Sequence, residues 1–176
     1  MAITWKIDPG HSEIQFKVKH LMITTVTGYF KTFEGEVVTA TDDFNSTISN
    51  KFTADINSIT TNNEQRDTHL KSEDFFDAAK FNQLRFSGTR FTTLGDDATL
   101  QGNLTIRGVS RPVTFNADFG GVVVDPYGQT KAGFTLSGKI SRKDFGLTWS
   151  AVTEAGSVVV SDEIRLSAEV QLIKQA

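Results

Sequence analysis

Apolar and polar residues alternate with a period of two along most of the 176-residue chain, the signature of strands with one buried and one wet face. Ile3, Trp5 and Ile7 alternate with Thr4 and Lys6 as far as Asp8-Pro9-Gly10. Ile14, Phe16 and Val18 then alternate with Glu13, Gln15, Lys17 and Lys19. Val26 to Phe33 continues the pattern with Gly28 and Gly35 as expected bends, and Val37 to Thr41 runs to an Asp42-Asp43 turn. Ile48, Phe52, Ala54 and Ile56 form the next apolar face. After an interruption come Leu84-Phe86-Gly88, a Gly95-Asp96-Asp97 turn, and the row Leu100, Gly102, Leu104, Ile106. A tight connection at Gly108-Val109-Ser110 leads to Val113, Phe115, Ala117 and Phe119, and Asp125-Pro126-Tyr127-Gly128 suits a β-turn. Ala132, Phe134, Leu136, Gly138 and Ile140 precede an irregular Arg142–Trp149 corner, and Ile164 to Leu172 forms the last strand.

One interruption carries helix signals. Within Asn57–Phe81, Asn62 is expected to cap a first turn and Ser72 a second, the first polar (Arg66, Asp67, His69) and the second aromatic (Phe75, Phe76). The fold class is therefore all-β, with a short helical lid at about residues 62–76. Strands with one apolar face suit either a sandwich or a barrel. Long strands joined by short turns favour an antiparallel up-and-down β-barrel of about eight strands. Small residues inside the apolar rows (Ala54, Gly88, Gly102, Ala117, Ala132, Gly138, Ala168) indicate either strand coiling or a hollow. No repeat or linker interrupts the pattern, so residues 1–176 read as a single domain.

Composition narrows the function. A net charge of −3 with scattered lysines and arginines argues against nucleic acid, and apolar runs fall far short of the ~20 residues that span a bilayer. Residues 1–20 hold Asp8, His11, Glu13 and Lys17 instead of an apolar stretch. A cytoplasmic protein is expected, or a periplasmic one whose leader has been removed. Cysteine is absent, excluding disulfides and thiolate chemistry. Fourteen Phe against 2 Tyr and 2 Trp leave the aromatic surface almost without polar handles, as a Phe-rich core or an apolar cavity would require. His11, His20 and His69 lack the spacing that pairs two histidines on one helix face, so no metal and no other cofactor is expected. No motif marks a nucleophile. Two glycosylation sequons, at Asn45 and Asn103, read as chance.

Several motifs together resemble the YceI-like family of polyisoprenoid-binding proteins. They are Trp5-Lys6-Ile7-Asp8-Pro9-Gly10-His11-Ser12, Lys19-His20-Leu21, Ser58-Ile59-Thr60-Thr61, Arg66-Asp67-Thr68-His69-Leu70, and Ser72-Glu73-Asp74-Phe75-Phe76-Asp77. Gly102 to Gly108, Ala132-Gly133-Phe134 and Ser141 to Leu147 complete the series in order. Asn82 departs from a Pro the family often carries there. The resemblance implies an extended, lipocalin-like barrel, and a bacterial transport or storage role linked to stress, in which a long isoprenoid chain occupies the interior without being turned over.

A fatty acyl chain or its amide satisfies the same physics, because hydrocarbon burial is non-directional. Under this reading Phe16, Phe30, Phe52, Ile56, Phe75, Phe76, Phe86, Leu104, Phe115, Phe134, Leu136, Ile140, Phe145, Trp149 and Leu166 line the ligand site. His20, Arg66, Asp67, His69 and Arg142 are the polar candidates at the lid or head group. An enzyme acting on a lipid head group through His20, Arg66, Asp67 and His69 is the alternative, a filled barrel serving as an interaction module is a third, and a homodimer is left open. The Asn62–Phe76 lid and the Arg142–Trp149 corner are expected to close one part of the barrel together.

Overall fold

A computed structural model describes residues 1–94, 97–149 and 159–176; the expected Gly95-Asp96 turn lies outside them. Among these residues the strands are β1 (Ile3–Ile7), β2 (Glu13–His20), β3 (Thr24–Phe30), β4 (Phe33–Thr39), β5 (Thr47–Asp55), β6 (Ile59–Thr60), β7 (Gln83–Leu94), β8 (Asp97–Ile106), β9 (Val109–Val124), β10 (Thr130–Ser141) and β11 (Val160–Lys174), with one α-helix, α1 (Glu64–Lys71). Every pairing is antiparallel. β1 and β2 lie end to end along β11, β3 and β4 continue one another, and so do β5 and β6. The eleven segments thus make eight long strands in up-and-down order, closed where Trp5 of β1 pairs with Lys174 of β11.

The interruptions have local causes. Pro9 has no N–H to give to a ladder, and Asp8 accepts from Gly10 N at 3.0 Å, winding Pro9–His11 into a single 3₁₀ turn. A bulge where β4 meets β5 (Val38↔Ser49, then Thr39↔Thr47) reverses one expected side chain. Ile48 is 63% exposed instead of facing inward. The β8–β9 connection is a two-residue turn, Arg107–Gly108, with both φ values positive (51° and 73°), the geometry that matches strand twist. It begins one residue earlier than the pattern suggests.

The helix is also displaced from expectation. Asn63, not Asn62, caps α1, its side chain accepting from Arg66 N at 3.0 Å. Asn62 instead takes the left-handed turn into the cap (φ 62°). Ser72 starts no second helix. It ends α1, its N–H donating to the His69 carbonyl, and residues 73–76 are turns. Lid and corner do lie at the same barrel end, where Trp149 packs 5.0 Å from His69 and 5.2 Å from Phe75.

Both barrel ends are packed. At the lid end Phe16, Ile56, Ile59, Ile106, Phe145 and Leu147 belong to one buried cluster. At the other, Trp5, Phe44, Ala132, Phe134 and Leu172 form a second, and Trp5 Nε1 donates to Thr39 Oγ1 at 3.1 Å.

Candidate functional site

Between these ends the inward rows leave a cavity of about 180 Å³. Its wall is almost wholly hydrocarbon, with Phe30, Phe52, Phe86, Phe91, Phe115 and Phe134 among the lining residues. The glycines explain how so many rings leave a bore. A side chain at Gly28 would strike three atoms of the Phe16 ring at 2.2, 2.5 and 2.8 Å. At Gly102 it would meet the Phe86 ring at 2.5 Å, and at Gly138 the Phe115 ring at 2.7 Å. Each glycine is a seat in which a ring from the adjacent strand lies back against the wall. Hollow and small residues are therefore linked through the rings, and Gly138 and Ala117 do not themselves front the cavity.

Gly28→Ala should cost about 1–3 kcal/mol in a urea titration, because the Phe16 ring has to move. At Gly133, where an added Cβ meets nothing within 4 Å, the same change should be neutral or slightly stabilising. Equal effects at the two positions would remove the seating argument.

Of the residues expected to line the ligand site, Phe30, Phe52, Phe86, Leu104, Phe115, Phe134, Leu136 and Leu166 border this cavity. Phe16, Ile56, Phe75, Phe76, Ile140, Phe145 and Trp149 do not. Phe16, Ile56, Ile140 and Phe145 are core. Phe75, Phe76 and Trp149 pack within the lid end, Phe76 edge-on against Phe30 at 6.3 Å. Ile7, Ile14, Val37, Leu84, Leu100, Val170 and Leu172 line the cavity without having been singled out, although most stand in the same apolar rows. Phe44, on the loop before β5, had no such signal, and Asn50 stands in the row of Ile48, Phe52 and Ala54 as its polar member.

None of the five polar candidates reaches the cavity. Asp67 accepts from the Thr61 N–H (2.8 Å) and hydroxyl (2.6 Å), while Arg66 donates to the Thr61 hydroxyl and carbonyl, each at 2.7 Å. The pair pins α1 to the end of β6. His69 bonds Asp74 at 2.9 Å and stands edge-on to Phe75 and Trp149. His20 is exposed at the end of β2. Among the described residues no hydrogen bond or ion pair joins any two of His20, Arg66, Asp67 and His69. Arg142 is 2% exposed and donates to the carbonyls of Leu147 and Trp149 (2.6 Å each), Ser161 (3.1 Å) and Val160 (3.4 Å), with Asp162 at 3.4 Å. These side chains hold the end of the barrel together.

The wall has a gap where β1 gives way to β2 and β3 to β4. The β1–β4 ladder ends at Lys6↔Glu36, and β2–β3 pairing resumes only at Ile14↔Phe30. Among the described residues no backbone hydrogen bond joins residues 8–13 to 31–35. A surface cleft of about 440 Å³ lies over this seam, and Ile7, Gly35, Glu36, Lys51 and Phe52 border both cleft and cavity. Asp8 stands beside it. Its hydrogen bond with His11 (2.8 Å) holds the carboxyl below the ordinary carboxylate range, helped by the Gly10 N–H and Lys131 and opposed by partial burial. Among the described residues no helix is long and apolar enough to cross a membrane, and no group of three His, Asp or Glu could hold a metal ion.

Residues 5–172 match the YceI-like domain. Protein YceI of Salmonella newport (strain SL254) is 37% identical over 179 aligned positions, covering 99% of this chain and 89% of that protein. The YCEI protein of Campylobacter jejuni, at 33% identity, superposes with a TM-score of 0.76 over 91% of each chain. A polyisoprenoid binding domain from Saccharophagus degradans shares the fold at 15% identity, with a TM-score of 0.69 over 97% of this chain and 98% of that one. Closed barrel, lid and matching relatives agree: the chain belongs to the YceI-like family.

Proposed function

We propose that this protein binds a long apolar lipid of isoprenoid type in the barrel interior, for carriage or storage and without chemical turnover. The observation that carries this reading is the hydrocarbon-walled cavity held open by ring-seating glycines inside a closed barrel. The Saccharophagus degradans domain, described as polyisoprenoid-binding, supports the ligand class by likeness of fold. Burial of hydrocarbon supplies the affinity, at ~0.8 kcal/mol per CH₂. The structural engagement of Arg66, Asp67, His69 and Arg142 supports binding over turnover. Organic extraction of protein purified from a native-like host, followed by mass spectrometry, tests the proposal. A stoichiometric isoprenoid is the expected result, and protein that is consistently empty would overturn it.

Size bears on the route. Cavities near 150 Å³ lined by Leu, Ile and Phe hold a benzene, so a cavity of about 180 Å³ takes one end of a long chain. The rest needs another path, and the seam adjoins it. A Cβ at Gly35 would lie 3.4 Å from Ile7 Cβ, close to the roughly 3.5–4.5 Å of a disulfide, in a chain without other cysteines. The double variant Ile7→Cys/Gly35→Cys should therefore oxidise across the seam. Exchange of retinol, a fluorescent isoprenoid alcohol, should slow at least about tenfold in the oxidised form and recover on reduction. Equal rates in both forms would exclude the seam as the route.

A further inference from the structure

We infer that Asn50 selects the ligand, hydrogen-bonding an uncharged oxygen function, a carbonyl or hydroxyl, on an otherwise hydrocarbon lipid inside the barrel; this rests on the lipid-binding reading above. The register sets its direction. Asn50 pairs with Val37 on one side and Gly88 on the other, and the next pair along, Phe52↔Phe86, borders the cavity. Cross-strand partners share a face, and alternate residues on a strand share it too. Asn50 therefore points into the bore, whose wall it joins.

Gly88 keeps it there. A Cβ at position 88 would fall 1.9, 2.2 and 2.3 Å from Oδ1, Nδ2 and Cγ of Asn50, so the amide lies flat across the glycine and no other residue fits beneath it. The cradle that elsewhere seats an aromatic ring here seats a hydrogen-bonding group.

The amide is uncommitted. The Thr47 hydroxyl, also on the cavity wall, donates to the Phe44 carbonyl. Among the described residues every fully buried side-chain nitrogen and oxygen has a partner, yet Asn50 makes no side-chain hydrogen bond. Asn50 stands on the cavity wall, and its amide has one acceptor and two donors to offer. A polar group facing hydrocarbon without a partner is costly, and a ligand oxygen removes that cost. Because the amide carries no charge, an ionised head group beside it would lack a counter-charge there; Glu36 and Lys51 border the cavity only at the seam, where both are exposed. The site fits a ketone, quinone, amide or alcohol oxygen.

The test presents the folded protein with equal amounts of hexahydrofarnesyl acetone and pristane from a cyclodextrin carrier. These isoprenoids share one branched skeleton, with a carbonyl oxygen in one where the other has a methyl. The bound fraction is extracted and its ketone-to-pristane ratio measured by gas chromatography. Wild-type protein should favour the ketone about tenfold more than Asn50→Leu does, the worth of one hydrogen bond in a dry site. Gly88→Ala, which displaces the amide while keeping it, should lower the ratio in the same direction. The ketone's carbonyl stretch should be lowered when bound to wild type and return to its hydrocarbon-solvent position in Asn50→Leu. Pristane and ketone bound in the same ratio by wild type and Asn50→Leu would overturn the role of Asn50 and leave lipid binding standing. Folded wild type that takes up neither would overturn lipid binding, and this inference with it.

Discussion

Replacing Arg142 by Met should cost about 3–5 kcal/mol, a large share of the 5–15 kcal/mol that stabilises a typical domain. The guanidinium is 2% exposed and donates to four backbone carbonyls: Leu147 and Trp149 before the 150–158 stretch, and Val160 and Ser161 after it. Methionine fills much of the volume but offers no donor, so those carbonyls lose partners in a site where water does not readily replace them. Arg142→Lys should recover only part of the loss. A single ammonium cannot reproduce a planar fork reaching carbonyls on both sides. A urea titration with unchanged m-value reads the effect directly. A loss below about 1 kcal/mol for Arg142→Met would mean that the corner does not depend on this side chain.

Ala168→Phe should abolish lipid uptake while leaving the fold intact. Ala168 lines the cavity from β11, between Leu136 of β10 and Ile14 of β2. A benzyl group added there enters a void of about 180 Å³, and a comparable engineered cavity holds benzene. The ring replaces ligand with protein, so retinol loading should fall at least about tenfold. The denaturation midpoint should hold or rise, because a filled void restores contacts that an empty one lacks. Ala117→Phe gives the contrast. Ala117 is 3% exposed between Ala98 and Leu136 and does not border the cavity, so the same ring should cost about 1–3 kcal/mol by overpacking. If Ala168→Phe loses stability by that amount and still loads lipid, the ligand lies elsewhere.

The strand pattern was legible because it depends only on neighbours along the chain. Alternation at Ile14-Phe16-Val18 or Leu100-Gly102-Leu104-Ile106 declares which residues turn from water whatever the strand pairs with. Turn chemistry at Pro9 and Asp125-Pro126-Tyr127-Gly128 is equally local. Those signals yield a single antiparallel barrel, and the ordered motifs yield its family. The apolar rows also named eight residues that line the cavity.

What escaped was set by contacts between distant strands. Phe16 and Phe115 stand in similar rows and each rests against a glycine of a neighbouring strand, yet one packs into core and the other borders the void. Ile48 was turned outward by a bulge where β5 pairs with β4. The charged lid residues looked like chemistry because the sequence shows their charge and not their partners. Arg66 and Asp67 close on Thr61, and Arg142 takes carbonyls from residues up to 19 positions away.

By itself the sequence determined that this chain is a barrel of alternating strands with a Phe-rich interior, since periodicity and composition are properties of the unfolded chain. Only the tertiary structure decided where the interior is hollow, where the wall is open, and that Asn50 borders the hollow with Gly88 beneath it. Each of these depends on which residue of one strand lies opposite which residue of another, and no local pattern encodes that register.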